Sequence, residues 1–537
     1  MRTSNVFLFA LAAGCASNGA SPVTPVGGDA ATDRTTPPTA PACTAAGGSA
    51  VVQAPVLRTT LVDRYQEGWL GSPAVADLDG DGKAEIVIPR EGLVVAWRAD
   101  GSLAWRYDTG NGRIWASPVV GDFLGDTRLE VAVAARDKVY LLDAAGKVLP
   151  GFPITWLNEI RGLAAADVDG DGQLDIVASV GRSSPVDVVA AWHADGTKVT
   201  GFPPNESGTS GCAADGKCYF AGCYDQNVAA ADLDGDGKAD VVTPHDNAYA
   251  SFWQGTGVAF DANPIFPVKK TPGVRYLLDL AEAKQGYSDH EETSLQAHFT
   301  NTAPSLADLD GDGKLDIILL SSVQNTSQTR RELGVALWAV RPDGSRLANW
   351  EVPAAFPDYL AGLWDYEGTN VVAATNQVAV ADIDPGHAGP ELIFAGFDGR
   401  IHAVRADGKA LWASTYTTDA QVLTGGVVVG DLSADGVPEI VLATYSPDEG
   451  KGKLLVLDSG GTVLHQVVLP KRGAMPVPTL ADVDGDGTVE IVVSLKDGED
   501  KLRSALIFTV PGSKTNCLAW PTARGNLLRN GTLPVKK

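Results

Sequence analysis

Asp77-Leu78-Asp79-Gly80-Asp81-Gly82-Lys83-Ala84-Glu85, followed by Ile86 and Val87, places four carboxylates within nine residues. Acids packed this closely repel one another unless a cation joins them. Carboxylates at positions 1, 3, 5 and 9, with a backbone carbonyl at position 7 (here Lys83), make an all-oxygen cage suited to Ca²⁺. Glycine at position 6 lets the chain turn sharply, because it accepts a positive φ without strain. Magnesium fits less well, since it prefers a small rigid octahedron and keeps its waters.

The motif returns four times nearly unchanged. The copies are Asp167, Asp169, Asp171, Gln173, Asp175; Asp232, Asp234, Asp236, Lys238, Asp240; Asp308, Asp310, Asp312, Lys314, Asp316; and Asp482, Asp484, Asp486, Thr488, Glu490. Three weaker copies keep the frame: Asp122, Asp126 and Glu130, without the third-position acid; Asp431, Ser433, Asp435 and Glu439, with serine there; and Asp382, Asp384 and Glu391, one residue longer and without the fifth-position acid. Five to eight structural Ca²⁺ ions are therefore expected. The alternative, an acidic turn holding no ion, weighs most for the three weaker copies.

An EF-hand would need a glutamate at position 12 and flanking helices. Here the ninth residue is acidic and leads into short β-branched runs such as Glu85-Ile-Val-Ile88 and Asp316-Ile-Ile-Leu319, which read as strands. Small apolar segments precede the loop, as in Pro73-Ala-Val-Ala76, so the loop joins two strands. A third strand ending in an Asp-Gly turn follows, for example Leu93 to Gly101, and then a fourth, Leu103 to Tyr107. Motif starts 45 to 76 residues apart indicate an array of similar units. Four strands per unit around an axis is a β-propeller. The fold expected is all-β, with eight blades, or seven if one weak copy is no blade.

Motif and flanking strands together resemble the FG-GAP/VCBS repeat family, the calcium-loop blades of integrin α-subunits and many bacterial surface proteins. The resemblance runs from about residue 50 to 537. It implies a calcium-binding, integrin-like propeller, although integrin propellers have seven blades. The closing Trp520-Pro-Thr-Ala-Arg-Gly-Asn-Leu-Leu-Arg-Asn-Gly531 resembles a tail found at the end of such bacterial propellers. Tryptophans 97, 192, 253 and 338 at the ends of third strands are also similar to a feature of quinone-binding dehydrogenase propellers, but the adjacent cysteine pair of that family is absent. Packing between blades is the preferred reading of these rings.

The N-terminus adds a second theme. Residues 1–15 have the charge, apolar run and small residues of an export signal. Leu11-Ala-Ala-Gly-Cys15 resembles a bacterial lipobox, with Cys15 as the acylated residue. Residues 16–49 are rich in Ala, Gly, Ser, Thr and Pro and read as a flexible linker, about 30–35 Å in reach. Residues 50–537 form the propeller. The expected location is exported, lipid-anchored at the bacterial outer membrane or surface, or secreted if the lipobox is not used. Membrane contact would be through that lipid alone. Of the remaining cysteines, a Cys43–Cys517 bridge would staple the termini of a closed ring, while Cys212, Cys218 and Cys223 share one stretch. Sequence does not fix these pairings.

The chain has 537 residues, 44% hydrophobic and 20% charged, with a formal net charge of −24. A surplus of that sign disfavours nucleic acid. The eight motifs hold 29 of the 66 carboxylates, and without them 37 acids face 42 bases. Filling all eight loops with Ca²⁺ would bring the net charge to −8, and filling five would bring it to −14. The acidity is therefore local, and what remains against nucleic acid is the lack of a basic motif.

Long connections at 199–227, 270–303, 322–333 and 353–377 would all emerge opposite the acidic loops, around the fourth to sixth motifs. Binding commonly resides in such loops on a rigid scaffold. Candidate contacts there are His245, Asn247, Tyr287, His290, His298, Arg330, Arg331, Trp364 and Tyr366, whose chemistry suits a glycan or a protein surface. His290 and His298 form no metalloprotease helix, since position 294 is serine. His193, His402 and His465 fall on blade strands or turns, where structural roles are expected.

The leading functional reading is a non-catalytic surface propeller for adhesion or ligand binding. A polysaccharide lyase or hydrolase is the alternative, and an envelope-complex scaffold a third. No GxSxG elbow, Walker loop or metalloprotease helix marks a catalytic site.

Overall fold

The computed structural model describes residues 43–64, 66–180, 188–204, 226–286, 294–299, 301–324, 333–361, 376–498, 503–515 and 517–533. Eight antiparallel sheets follow one another along the chain, and each acidic motif joins the first two strands of one sheet. Blade 1 is Ala74–Ala76, Glu85–Arg90, Leu93–Trp97 and Leu103–Asp108, paired in that order. Blades 2, 6 and 7 repeat the four-stranded pattern. In blades 3 and 4 the fourth strand shrinks to single bridges, Trp192 with Lys198 and Trp253 with Ala259. The weaker motifs at 122, 382 and 431 each head a blade, which settles the count at eight.

The residue pattern explains the layering. Second strands such as Glu130–Ala135 and Asp175–Val180 are buried throughout because both faces pack on neighbouring blades. Six of the eight innermost strands are only three residues long and built mostly from small residues, as in Ala229–Ala231 and Thr479–Ala481, since all converge on one axis. Each inner strand contacts the next around a closed ring, including blade 8 against blade 1. Trp97, Trp192, Trp253 and Trp338 are at most 1% exposed and lie in apolar clusters between blades; Trp97, for example, packs with Val483 and Ile507 of blade 8.

Closure is made by the N-terminus. Val56–Leu61 pairs with Ala505–Thr509 and supplies the outer strand of blade 8, after Thr479–Ala481 and Glu490–Ser494. Cys43 is disulfide-bonded to Cys517, 474 residues away. Cys15, Cys212, Cys218 and Cys223 lie outside the described residues. Helix is nearly absent among the described residues: one four-residue turn, Leu280–Ala283, and one 3-10 turn, Thr271–Gly273.

Residues 517–533 leave blade 8 and wind around the axis. Their carbonyls accept inner-strand N–H groups in ring order: Asp431 to Cys517 and Val429 to Trp520 in blade 7, Leu480 to Pro521 in blade 8, Val120 to Leu527 in blade 2, Ala165 to Leu528 in blade 3, Ala230 to Asn530 in blade 4, and Leu306 to Gly531 in blade 5. Blade 1 joins through Pro73, whose carbonyl accepts from Arg529 Nη2 at 2.8 Å. The tail thus plugs the ring.

Candidate functional site

The acidic loops share one hydrogen-bond scheme. In the first, Asp77 Oδ1 accepts from the N–H groups of Gly80 and Asp81, its Oδ2 from Gly82, and Glu85 Oε2 accepts from Leu78 N–H at 3.0 Å. The ninth acid reaches back to the second residue in every copy, as in Asp240 with Leu233 and Glu490 with Val483. Glycines at positions 4 and 6 both carry positive φ, +79° at Gly80 and +85° at Gly82. The scheme points the first and third acids at one spot, joined by the ninth acid in three loops and by the fifth in the fourth loop. Asp77, Asp79 and Glu85 bring ligand oxygens within 4.8 Å of one another, as do Asp167, Asp169 and Asp175, Asp232, Asp234 and Asp236, and Asp308, Asp310 and Asp316.

Burial and the neighbouring carboxylates push the ninth-position acids up, Glu85, Glu130, Asp175, Asp316, Glu391 and Glu490 to about 7, and Asp240 and Glu439 to about 8. Each sits where a negative charge is uncomfortable without a cation. Asp382 Oδ1, Glu391 Oε1 and Asp484 Oδ1 are buried and have no hydrogen-bond partner among the described residues. This donor chemistry fits a hard divalent cation, with the loop carboxylates as its ligands.

Other side chains reach these loops, and sequence spacing gave no sign of most of them. Arg128 pairs with Asp126 at 2.7 Å in the second loop, and His387 and Arg405 pair with Asp384 in the sixth. Arg58, from the closing strand, pairs with Asp484 and lies 3.5 Å from Glu490 in the eighth. The seventh loop is roofed by the segment after Cys43: Ala46 and Gly48 N–H groups donate to Ala434 O, and Asp431 is fully buried. His193, read from the sequence as structural, lies 2.8 Å from Asp175 and groups with Asp169 and Asp171 as a possible ligand of the third loop. His402 is packed between Phe356, Phe394 and Asp398, and His465 Nε2 donates to Val52 O at 2.8 Å, so these two hold the fold.

On the opposite face the sequence-based candidates divide. Tyr287, His290, Arg330, Arg331, Trp364 and Tyr366 lie outside the described residues. His245 and His298 are corrections. His245 is fully buried with Nε2 2.8 Å from Ser251 Oγ, because it directly follows the second strand of blade 4. His298 is 6% exposed because Gln296–His298 adds a fifth strand to blade 5, along the extended Asp316–Gln324. Asn247 is spent in a turn, its Oδ1 accepting Tyr249 N–H. His245 and His298 are therefore turned away from solvent, while Asn247 stays half-buried.

The structure offers instead a small axial recess, open to solvent, with a cavity volume of about 40 Å³. Its walls come from the starts of inner strands, hence from the face opposite the acidic loops. Leu70, Ser72, Trp115, Ser117, Arg161, Asn227, Ala303, Gln377, Gly425, Met475 and Val477 line it, with Ala523 and Arg524 of the tail as its floor. Arg161 and Arg113 share Glu159, and both guanidinium groups stack on Trp115 at 4.6 Å. Burial alone would raise Glu159, but the two arginines hold it down to about 2. No sequence motif marked these residues, since each blade contributes only a few of them.

Residues 122–178 match the family model described as FG-GAP-like repeat, a span that holds the second and third acidic loops. No curated protein matches the chain. Among solved structures the chain is similar to the V. cholerae biofilm matrix protein Bap1, at 14% identity and a TM-score of 0.41, covering 90% of this chain and 96% of that one. It is similar to the Bacillus licheniformis rhamnogalacturonan lyase PL11, at 15% identity and 0.47, covering 90% and 81%. It is also similar to the quinohemoprotein alcohol dehydrogenase ADHIIG from Pseudomonas putida HK5, at 13% identity and 0.46, covering 87% and 77%.

Proposed function

We propose that the protein is a non-catalytic, calcium-stabilised propeller, exported and held at the cell surface by an N-terminal lipid, whose face opposite the acidic loops binds a glycan or protein ligand. The observation that carries the calcium part is the buried, unpartnered carboxylate oxygens of Asp382, Glu391 and Asp484 within loops whose ninth acids are all pushed up. Calcium is favoured over magnesium because each cage is all-oxygen and offers several carboxylates from one short segment. The ions would serve the fold: each loop ties the innermost strand to the second strand of its blade.

The division of faces supports the binding part. One face is given over to eight acidic turns, while the sequence places the long connections at the other, where binding loops on a rigid scaffold are expected. Export fits the disulfide between Cys43 and Cys517, a bond that persists in oxidising compartments.

Chelation tests the first part. Removing calcium with EGTA lowers the melting temperature by well over 10 °C, and added calcium restores it in preference to equal magnesium. An unchanged transition would sink the cage reading. A glycan and surface-protein array probed with the calcium-loaded protein tests the second, with released unsaturated sugar ends as the sign that it is a lyase instead.

A further inference from the structure

Of the eight acidic loops, the seventh is the one in which no residue is exposed. Asp431 and Ala434 are fully buried, and Leu432 and Ser433 nearly so. In each of the other seven at least one middle position is open to solvent, as at Asp79, Asp171 and Asp486. The cover is residues 43–49, which belong to no blade. Ala46 and Gly48 N–H groups both donate to Ala434 O at 2.9 Å, and Lys514 Nζ donates to Ala46 O at 2.7 Å. The approach is so close at Gly48 that a Cβ there would fall 1.8 Å from Ser433 O, which is why the position takes glycine.

This segment is fastened at both ends. After it, Val52 is buried in one apolar cluster with Leu432, and its carbonyl accepts from His465 Nε2. Before it, Cys43 is bonded to Cys517, whose carbonyl accepts Asp431 N–H at 2.9 Å. The disulfide therefore ties the cover to a residue that itself holds the first acid of the covered loop. Between these ends Thr44, Ala45, Gly47, Gly48 and Ser49 are exposed, so apolar packing does little to keep the cover down. Tethering its end makes each re-docking an intramolecular event and favours the closed state.

Given calcium in the acidic loops, we infer that residues 43–49 are a disulfide-latched lid on the seventh loop, which traps that loop's ion while the Cys43–Cys517 bond is intact and lets it exchange once the bond is reduced. A dithiol reductant supplies the chemistry. One of its thiolates attacks the sulfur of the half-buried Cys43 and expels Cys517 as a thiolate, which takes a proton from solvent. The second thiol of the reductant then displaces Cys43, so two cysteine thiols form as the dithiol becomes a disulfide. The lid also sets an order of assembly: an ion has to enter the seventh loop before the latch closes.

An isotope chase on the full chain is the test. The protein is loaded with radioactive Ca²⁺ and moved into excess EGTA, and the ions retained per chain are counted over time. In the oxidised protein a single ion per chain leaves about tenfold more slowly than the rest, or slower still, because its release waits for local opening. Dithiothreitol, Cys43→Ser/Cys517→Ser and Gly48→Ala each abolish that slow phase, the last with the disulfide still in place, and Asp431→Ala removes the slow ion alone. One uniform release phase in the oxidised protein, a slow ion that survives reduction, or a slow ion that survives Asp431→Ala would each overturn the lid. Where the cysteine-free variant does not fold, reduction of the wild type and Gly48→Ala decide. A chain that holds no calcium at the outset overturns the cage reading instead. The lid is then read from amide exchange at 432–436, which reduction must speed; equal rates would overturn it as well.

Discussion

Thr127 occupies the sixth position of the second acidic loop with φ +74°, where the full copies have glycine. The loop scheme imposes the left-handed turn there, because Thr127 N–H must donate to Asp122 Oδ2 at 2.9 Å. A β-branched residue in that region is strained by about 1–2 kcal/mol. Thr127→Gly is therefore expected to raise stability by about 1 kcal/mol, read as a higher denaturant midpoint; a lower midpoint would show that the strain is relieved elsewhere. Glu159 gives a second prediction at this scale. Its folded value near 2 lies below the ordinary 4.5, so its contribution is fully present above about pH 4.5 and is lost as pH falls toward 2. Glu159→Gln lowers the melting temperature at pH 7 and flattens the fall between pH 4.5 and 2. Parallel curves for the two proteins would remove Glu159 from the acid response.

At the scale of elements, the eighth blade is the weak point, because its outer strand comes from the far end of the chain. Val56–Leu61 buries only Leu61 fully, so backbone pairing and the Cys43–Cys517 bond, rather than packing, keep it in place. Replacing both cysteines by serine costs about 2–4 kcal/mol, the usual range for a disulfide that closes a long loop. The expected reading is a lower melting temperature in Cys43→Ser/Cys517→Ser, matched by the wild type under reducing conditions. The seventh acidic loop should loosen with it, since the segment after Cys43 roofs Ala434. Hydrogen exchange faster at 431–439 than at 77–85 is the accompanying signature.

For the whole molecule, the tail is the axle. It satisfies inner-strand N–H groups in six blades, and a buried donor left without its partner costs about 1–3 kcal/mol. The total is comparable to the full stability of a typical domain. A chain ending at Cys517 is expected to lose its cooperative thermal transition and to bind a hydrophobic dye. A cooperative transition at the original temperature would mean that the ring closes without its plug. The same tail sets the electrostatics of the axis, where it places the buried Arg524 and Arg529.

The local repeat was written in the sequence: nine residues (ten in the sixth copy) with acids at near-fixed spacing and then a β-branched run, eight times over, with an Asp-Gly turn after the third strand in four of the blades. Those patterns specify strand, turn and blade because each rests on contacts within about 60 residues. Even the weak copies kept the frame that matters, the first acid and the ninth acid that closes back on the second residue. What only the tertiary structure decided were relations between residues hundreds of positions apart. The first strand completes the last blade, the tail threads the ring, His245 and His298 turn inward, and Ser72, Trp115, Arg161 and Arg524 meet on the axis. In a propeller the axial surface takes a residue or two from each blade, so its chemistry has no linear spacing and exists only once the ring has closed.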